Sequence, residues 1–125
     1  MPNHLDVTEL TVMIGTDQPD ELARFYGEAL GLPRATQYKD PVFRAGSTNV
    51  RILRHSKVHG ANPAPARHIL NLFIDSGGGG VAAQVERLRT LGVPVVRETE
   101  RELWGGLVAT LQDPDGNYVQ LIEGL

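Results

Sequence analysis

The stretch Asp113-Pro114-Asp115-Gly116-Asn117-Tyr118-Val119-Gln120-Leu121-Ile122-Glu123 decides the reading of this chain. Pro114 presets φ near −65° at the second position of a tight turn, and the Asp113 carboxylate can accept a backbone N–H from the first. Gly116 tolerates the positive φ that a hairpin loop needs. The strand that follows has period 2, so Val119, Leu121 and Glu123 share one face. The preceding run holds Leu107, Ala109 and Leu111 at the same spacing and is the expected partner strand. A glutamate on an apolar strand face is costly to bury unless it binds a cation or accepts hydrogen bonds. Glu123 therefore calls for an explanation.

Outward from this hairpin the chain reads as built twice. "ALGLP" at 29–33 is echoed by "TLGVP" at 90–94. Each echo closes a helical pattern. The first helix opens at Pro19, has Asp20 and Glu21 in its first turn, and ends at Gly31. Leu22, Phe25, Tyr26, Ala29 and Leu30 form its apolar stripe. The second helix follows four glycines, 77–80, and carries Val81, Val85, Leu88 and Leu91. The glycines read as a mobile loop rather than a phosphate cradle, which needs a lysine or a longer glycine pattern. An apolar strand precedes each helix. Strands are expected after the first over 34–39, 42–46 and 48–55, and after the second over 95–101, 104–112 and 118–123. Asn62-Pro63-Ala64-Pro65 cannot pair in a sheet and separates the halves.

Composition limits the function classes. The chain has 125 residues, 41% hydrophobic and 22% charged, which suits one globular domain. No apolar run approaches the ~20 residues of a membrane span. The N-terminus lacks a signal-peptide pattern. With no cysteine, disulfides and thiolate chemistry are excluded, and a cytoplasmic location is expected. A net charge of −3 argues against nucleic acid as partner. Positions 41 to 74 contain no Asp or Glu but hold Arg44, Arg51, Arg54, Lys57 and Arg67. That stretch reads either as a solvated basic edge or as a pocket wall for an anionic or electron-rich ligand.

Two βαβββ modules in tandem, with "RFYGEALGL" at 24–32, "RHILNLFIDS" at 67–76 and the DPDGN strand, resemble the vicinal oxygen chelate superfamily. This is the glyoxalase, bleomycin-resistance and extradiol-dioxygenase group. The resemblance covers nearly the whole chain. It implies an α+β fold: module one over about 7–56, a linker over 57–66 and module two over about 67–124. It further implies that the two modules form a cup-shaped mixed sheet with helices on the convex side. It also implies a homodimer with small-molecule pockets at or near the interface.

Metal-using members draw one ligand from the first strand and one from the last strand of each module. Carried over, this gives His68 and Glu123. Thr11 stands where a further ligand belongs, and Asn49, Arg51 or Leu53 stand at the fourth place. Two ligands hold a divalent ion poorly against water. The resemblance therefore favours a metal-free binding protein that sequesters a bulky aromatic or apolar natural product, as in antibiotic resistance. Met13, Tyr38, Phe43, Arg51, Leu53, His68, Leu70, Trp104, Leu121 and Glu123 would line its pocket. Arg51, His68 and Glu123 would be the polar groups, with Glu123 paired to Arg51 or His68. The alternative is an enzyme, a lyase, isomerase or dioxygenase. It would hold Zn, Ni, Mn or Fe through His68, Glu123 and Glu9, which shares strand parity with Thr11.

Overall fold

The computed structural model describes residues 3–35 and 39–124. It divides into two compact units, Met1–Val58 and His59–Leu125. Among the described residues the elements are β1 (Thr11–Thr16), α1 (Pro19–Arg24), β2 (Val42–Ala45), β3 (Thr48–Arg54), β4 (Leu70–Phe73), α2 (Gly80–Thr90), β5 (Val95–Arg101), β6 (Leu107–Gln112) and β7 (Tyr118–Glu123). The class is α+β, with two mixed sheets and a helix for each.

In the first unit the sheet order is β1-β3-β2, with β1 parallel and β2 antiparallel to β3. α1 passes without a break into a π-helical turn, Phe25–Ala29. Leu22 and Tyr26 of this helical segment are fully buried, as are Ile52 and nearly Val50 of β3. The register groups side chains by face. Val50 and Ile52 of β3 lie with Val12 and Ile14 of β1 and Phe43 of β2. This face packs on the helix, because a Cβ added at Gly27 would stand 2.7 Å from the Phe43 ring. The other face carries Thr11 and Met13, Asn49, Arg51 and Leu53, and Val42 and Arg44. The strand expected over 34–39 is only a bridge between Arg34 and Phe43, and its centre lies outside the described residues.

In the second unit the order is β4-β7-β6-β5. Leu107 pairs with Glu123, Ala109 with Leu121 and Leu111 with Val119, as the period-2 reading predicts. Ala109, Leu111 and Val119 are fully buried, and Val81, Val85 and Leu88 of α2 are buried too. β6 begins at Leu107 rather than 104, because residues 102–106 form a turn. The Glu102 N–H donates to the Gly106 carbonyl at 2.8 Å, and the Gly105 N–H to the Glu102 carbonyl at 2.9 Å. The two five-residue echoes close both helices. Gly31 and Gly92 take φ of 77° and 83°, the left-handed position that ends a helix.

The hairpin turn is held by one buried carboxylate. Asp113 Oδ1 accepts the Asp115 N–H at 2.9 Å and the Asn117 N–H at 3.0 Å, and Oδ2 accepts Asn117 Nδ2 at 2.8 Å. The same turn ties down the inter-module segment. The Asn62 N–H donates to the Asp115 carbonyl and Asn62 Nδ2 to Asn117 Oδ1, each at 2.8 Å.

Candidate functional site

The glutamate that opened the sequence question has a structural answer. Val119, Leu121 and Glu123 do share a face, and it is the face under α2. Glu123 Oε1 accepts the Val81 N–H at 2.8 Å. Val81 is the second residue of α2, where a capping acceptor belongs, and no neighbouring side chain caps this helix. The carboxylate also meets the positive end of the helix dipole. It reaches there because Gly80 has no side chain: a Cβ at that position would stand 2.3 Å from Glu123 Oε1. Gly80, the last of the four glycines, thus leaves the space that this carboxylate fills. Glu123→Ala is expected to lower stability by about 1–2 kcal/mol. Glu123→Gln, which keeps an acceptor, should lose less, and urea denaturation of both variants checks the order.

This placement removes Glu123 from the proposed pocket and from the metal set. β4 and β7 run parallel with Leu70 opposite Val119. His68 is then level with Asn117, whereas Glu123 is level with Ile74, whose N–H donates to the Ile122 carbonyl. His68 thus precedes the first residue of β4 and Glu123 lies past its last pair, Phe73 with Ile122, so the whole of β4 stands between them. His68 itself is exposed on a bend before β4. Neither a His68–Glu123 pair nor a shared ion fits this register. Glu9 is exposed ahead of β1 and accepts the Thr11 hydroxyl at 3.4 Å. Among the described residues no three His, Asp or Glu side chains come together in a way that could hold a metal ion. The residue set His68, Glu123 and Glu9 therefore does not fit the metal that some members of this fold use.

Two further assignments are corrected by burial and a third by strand register. Phe43 is 4% exposed and packs on the helix, not in a pocket. Leu121 is buried, and Leu70 shares its face toward α2 through the register with Val119. Tyr38 lies outside the described residues. Trp104 sits in the β5–β6 turn, with one side of its ring over Gly106 and about half of its surface exposed.

Met13, Arg51 and Leu53 do fall together. Met13 pairs with Arg51 and Gly15 with Leu53, so all three side chains point away from α1. Met13 is 55% exposed. Arg51 forms an ion pair with Asp40, on the segment that leads into β2, rather than with Glu123. Two buried polar atoms on this face have no hydrogen-bond partner among the described residues, Asn49 Oδ1 and Arg51 Nε. Asn49, which the resemblance puts among the residues at the fourth metal-ligand place, joins this face as a further candidate contact. Its signal was parity with Arg51.

The second unit has its own face turned away from α2, bearing Asn71, Thr110, Tyr118, Gln120 and Ile122. Gln120 Nε2 donates to the Thr110 hydroxyl at 3.2 Å. Arg97, opposite Thr110, pairs with Glu100 and Glu102, and those hydrogen bonds hold its guanidinium above its ordinary value. A shallow open groove of about 440 Å³ is lined by Ala64, Pro65, Ala66, Arg67 and Tyr118.

A three-stranded and a four-stranded mixed sheet, each with one face under a helix and the other bearing polar side chains, define an α+β fold built from two similar units. The chain belongs to the glyoxalase/bleomycin resistance protein/dioxygenase superfamily, whose family model matches residues 7–121. Among curated proteins none matches by sequence. Similar solved structures include a lactoylglutathione lyase from Agrobacterium tumefaciens, with 21% identity over 98% of this chain and 95% of that one, and a TM-score of 0.70. A glyoxalase/bleomycin resistance protein/dioxygenase family enzyme from Burkholderia phytofirmans PsJN has 17% identity over 92% and 97%, and a TM-score of 0.74. TnmS3, an antibiotic binding protein from Streptomyces sp. CB03234, has 18% identity over 98% and 100%, and a TM-score of 0.68. At these identities the likeness concerns the fold. One fold of this kind serves both a lyase and an antibiotic binder, so the site must carry the functional argument.

Proposed function

We propose that this chain is a small-molecule binding protein that sequesters a bulky aromatic or apolar natural product without chemical turnover. The observation that carries this reading is the grouping of Met13, Arg51 and Leu53 on the face of the first sheet away from α1. Apolar surface around a few placed polar groups is the usual composition of a ligand site. An antibiotic binding protein shares the fold, which supports resistance by sequestration as the biological role. The absence of cysteine suits a reducing compartment such as the cytoplasm. A homodimer with two equivalent sites completes the reading.

The test is calorimetric titration of tag-free protein with a panel of aromatic antibiotics, with chromatography of the ligand afterwards. We expect one ligand per chain, recovered unaltered. Met13→Asp should weaken binding at least about tenfold, equivalent to about 1.4 kcal/mol, because it sets a charge in the apolar wall. His68→Ala should leave affinity unchanged. Elemental analysis of the same protein should find metal well below one equivalent. A stoichiometric metal, or converted ligand, would replace this reading with an enzymatic one.

A further inference from the structure

The two unpartnered atoms of β3 specify more than a generic apolar ligand. Asn49 is 6% exposed, and its Oδ1 is buried without a donor. Arg51 Nε is buried without an acceptor. They lie two residues apart on the same strand face, about 7 Å along the backbone. Buried polar groups in folded proteins are nearly always satisfied, so such a matched donor and acceptor points to a partner that supplies both complements. The charges nearby narrow its class. The Arg51 guanidinium is already met by Asp40. A carboxylate offers acceptors only, so it would leave Asn49 Oδ1 unsatisfied and would also face the Asp40 carboxylate. Arg44, the register partner of Asn49, is exposed, and its charge is screened by solvent.

Resting on the binding reading above, we propose that Asn49 and Arg51 hold a neutral cis-amide edge of the ligand, a lactam or cyclic imide. The ligand N–H donates to Asn49 Oδ1, and its carbonyl accepts Arg51 Nε–H. Met13, unbranched and half-exposed beside Arg51, moves aside to admit the ring and then covers it.

The test uses three bicyclic probes of similar size: 2-quinolinone, its N-methyl derivative and 2-naphthoate. The readout is the Arg51 Nε–H and Asn49 side-chain amide resonances in nitrogen–proton correlation spectra of the whole protein. We expect 2-quinolinone to shift both resonances. N-methylation, which removes the donor and adds bulk, should weaken binding at least about tenfold, and 2-naphthoate should bind no better than the N-methyl compound. Asn49→Ser should weaken 2-quinolinone selectively, and the probe series tests the inference even if that variant does not fold. The inference is overturned if 2-quinolinone leaves both resonances unmoved, or if 2-naphthoate binds more tightly. If the antibiotic panel still binds in that case, only the cis-amide inference falls. If the panel fails too, the binding reading falls with it.

Discussion

Gly80→Ala is expected to lower stability by about 3 kcal/mol or more, the sum of a backbone and a packing effect. Gly80 has φ 66° and ψ −153°, a region open to glycine and closed to residues with a Cβ. That alone costs about 1–3 kcal/mol. The added methyl would also overlap the Glu123 carboxylate and drive it from the Val81 N–H, removing a cap worth about 1 kcal/mol. The loss is a large share of the ~5–15 kcal/mol typical of a whole domain. Urea unfolding of Gly80→Ala, Glu123→Ala and the double variant separates the two parts. The double variant should be less destabilised than the sum of the singles, by about 1 kcal/mol, because the overlap is gone once the carboxylate is removed. A Gly80→Ala protein within about 0.5 kcal/mol of the parent, the usual range for an unremarkable surface change, would show that the glycine seat is not needed.

Asp113→Ala should cost about 3–5 kcal/mol. Three N–H groups converge on the Asp113 carboxylate, two of them from the backbone, and the side chain is 3% exposed. Removing it leaves buried donors without acceptors, at about 1–3 kcal/mol each before any refilling by water. It also loosens the turn that sets the β6–β7 register and holds Asn62. Asp113→Asn should fall between the parent and Asp113→Ala. Its carbonyl can still accept the two backbone N–H groups, but its amide then confronts Asn117 Nδ2, donor to donor. Thermal unfolding monitored by circular dichroism should give the order parent, Asn, Ala. An Ala variant as stable as the parent would mean that the backbone of the turn is self-sufficient.

Both predictions concern residues that stood out in the sequence, yet the two were legible to different degrees. The role of Asp113 follows from its neighbours alone. A short carboxylate before Pro-Asp-Gly-Asn has its acceptors within reach of the N–H groups two and four residues on, whatever the rest of the chain does. Glu123 was legible only as a problem. Its parity with Val119 and Leu121 is local, but the partner that satisfies it is the N–H of Val81, 42 positions away. The same holds for Arg51. Its parity with Met13 and Leu53 is visible as strand alternation, whereas its ion pair with Asp40 depends on how the segment before β2 folds back.

The amino-acid order by itself determined the repeat, the two helices with their glycine ends, the Asp113 turn and the pairing of 107–111 with 119–123. These features rest on interactions a few residues long and on periodicities of 2 and 3.6 that no distant contact needs to set. Only the tertiary structure decided which face of each strand lies under a helix and which end of β4 meets which end of β7. Alternation divides a strand into two faces without naming the buried one, and parallel register comes from contacts far apart in the chain. That is why Phe43 and Leu121 left the pocket for the core, why Leu70 turned toward α2, and why His68 and Glu123 stand at opposite ends of β4.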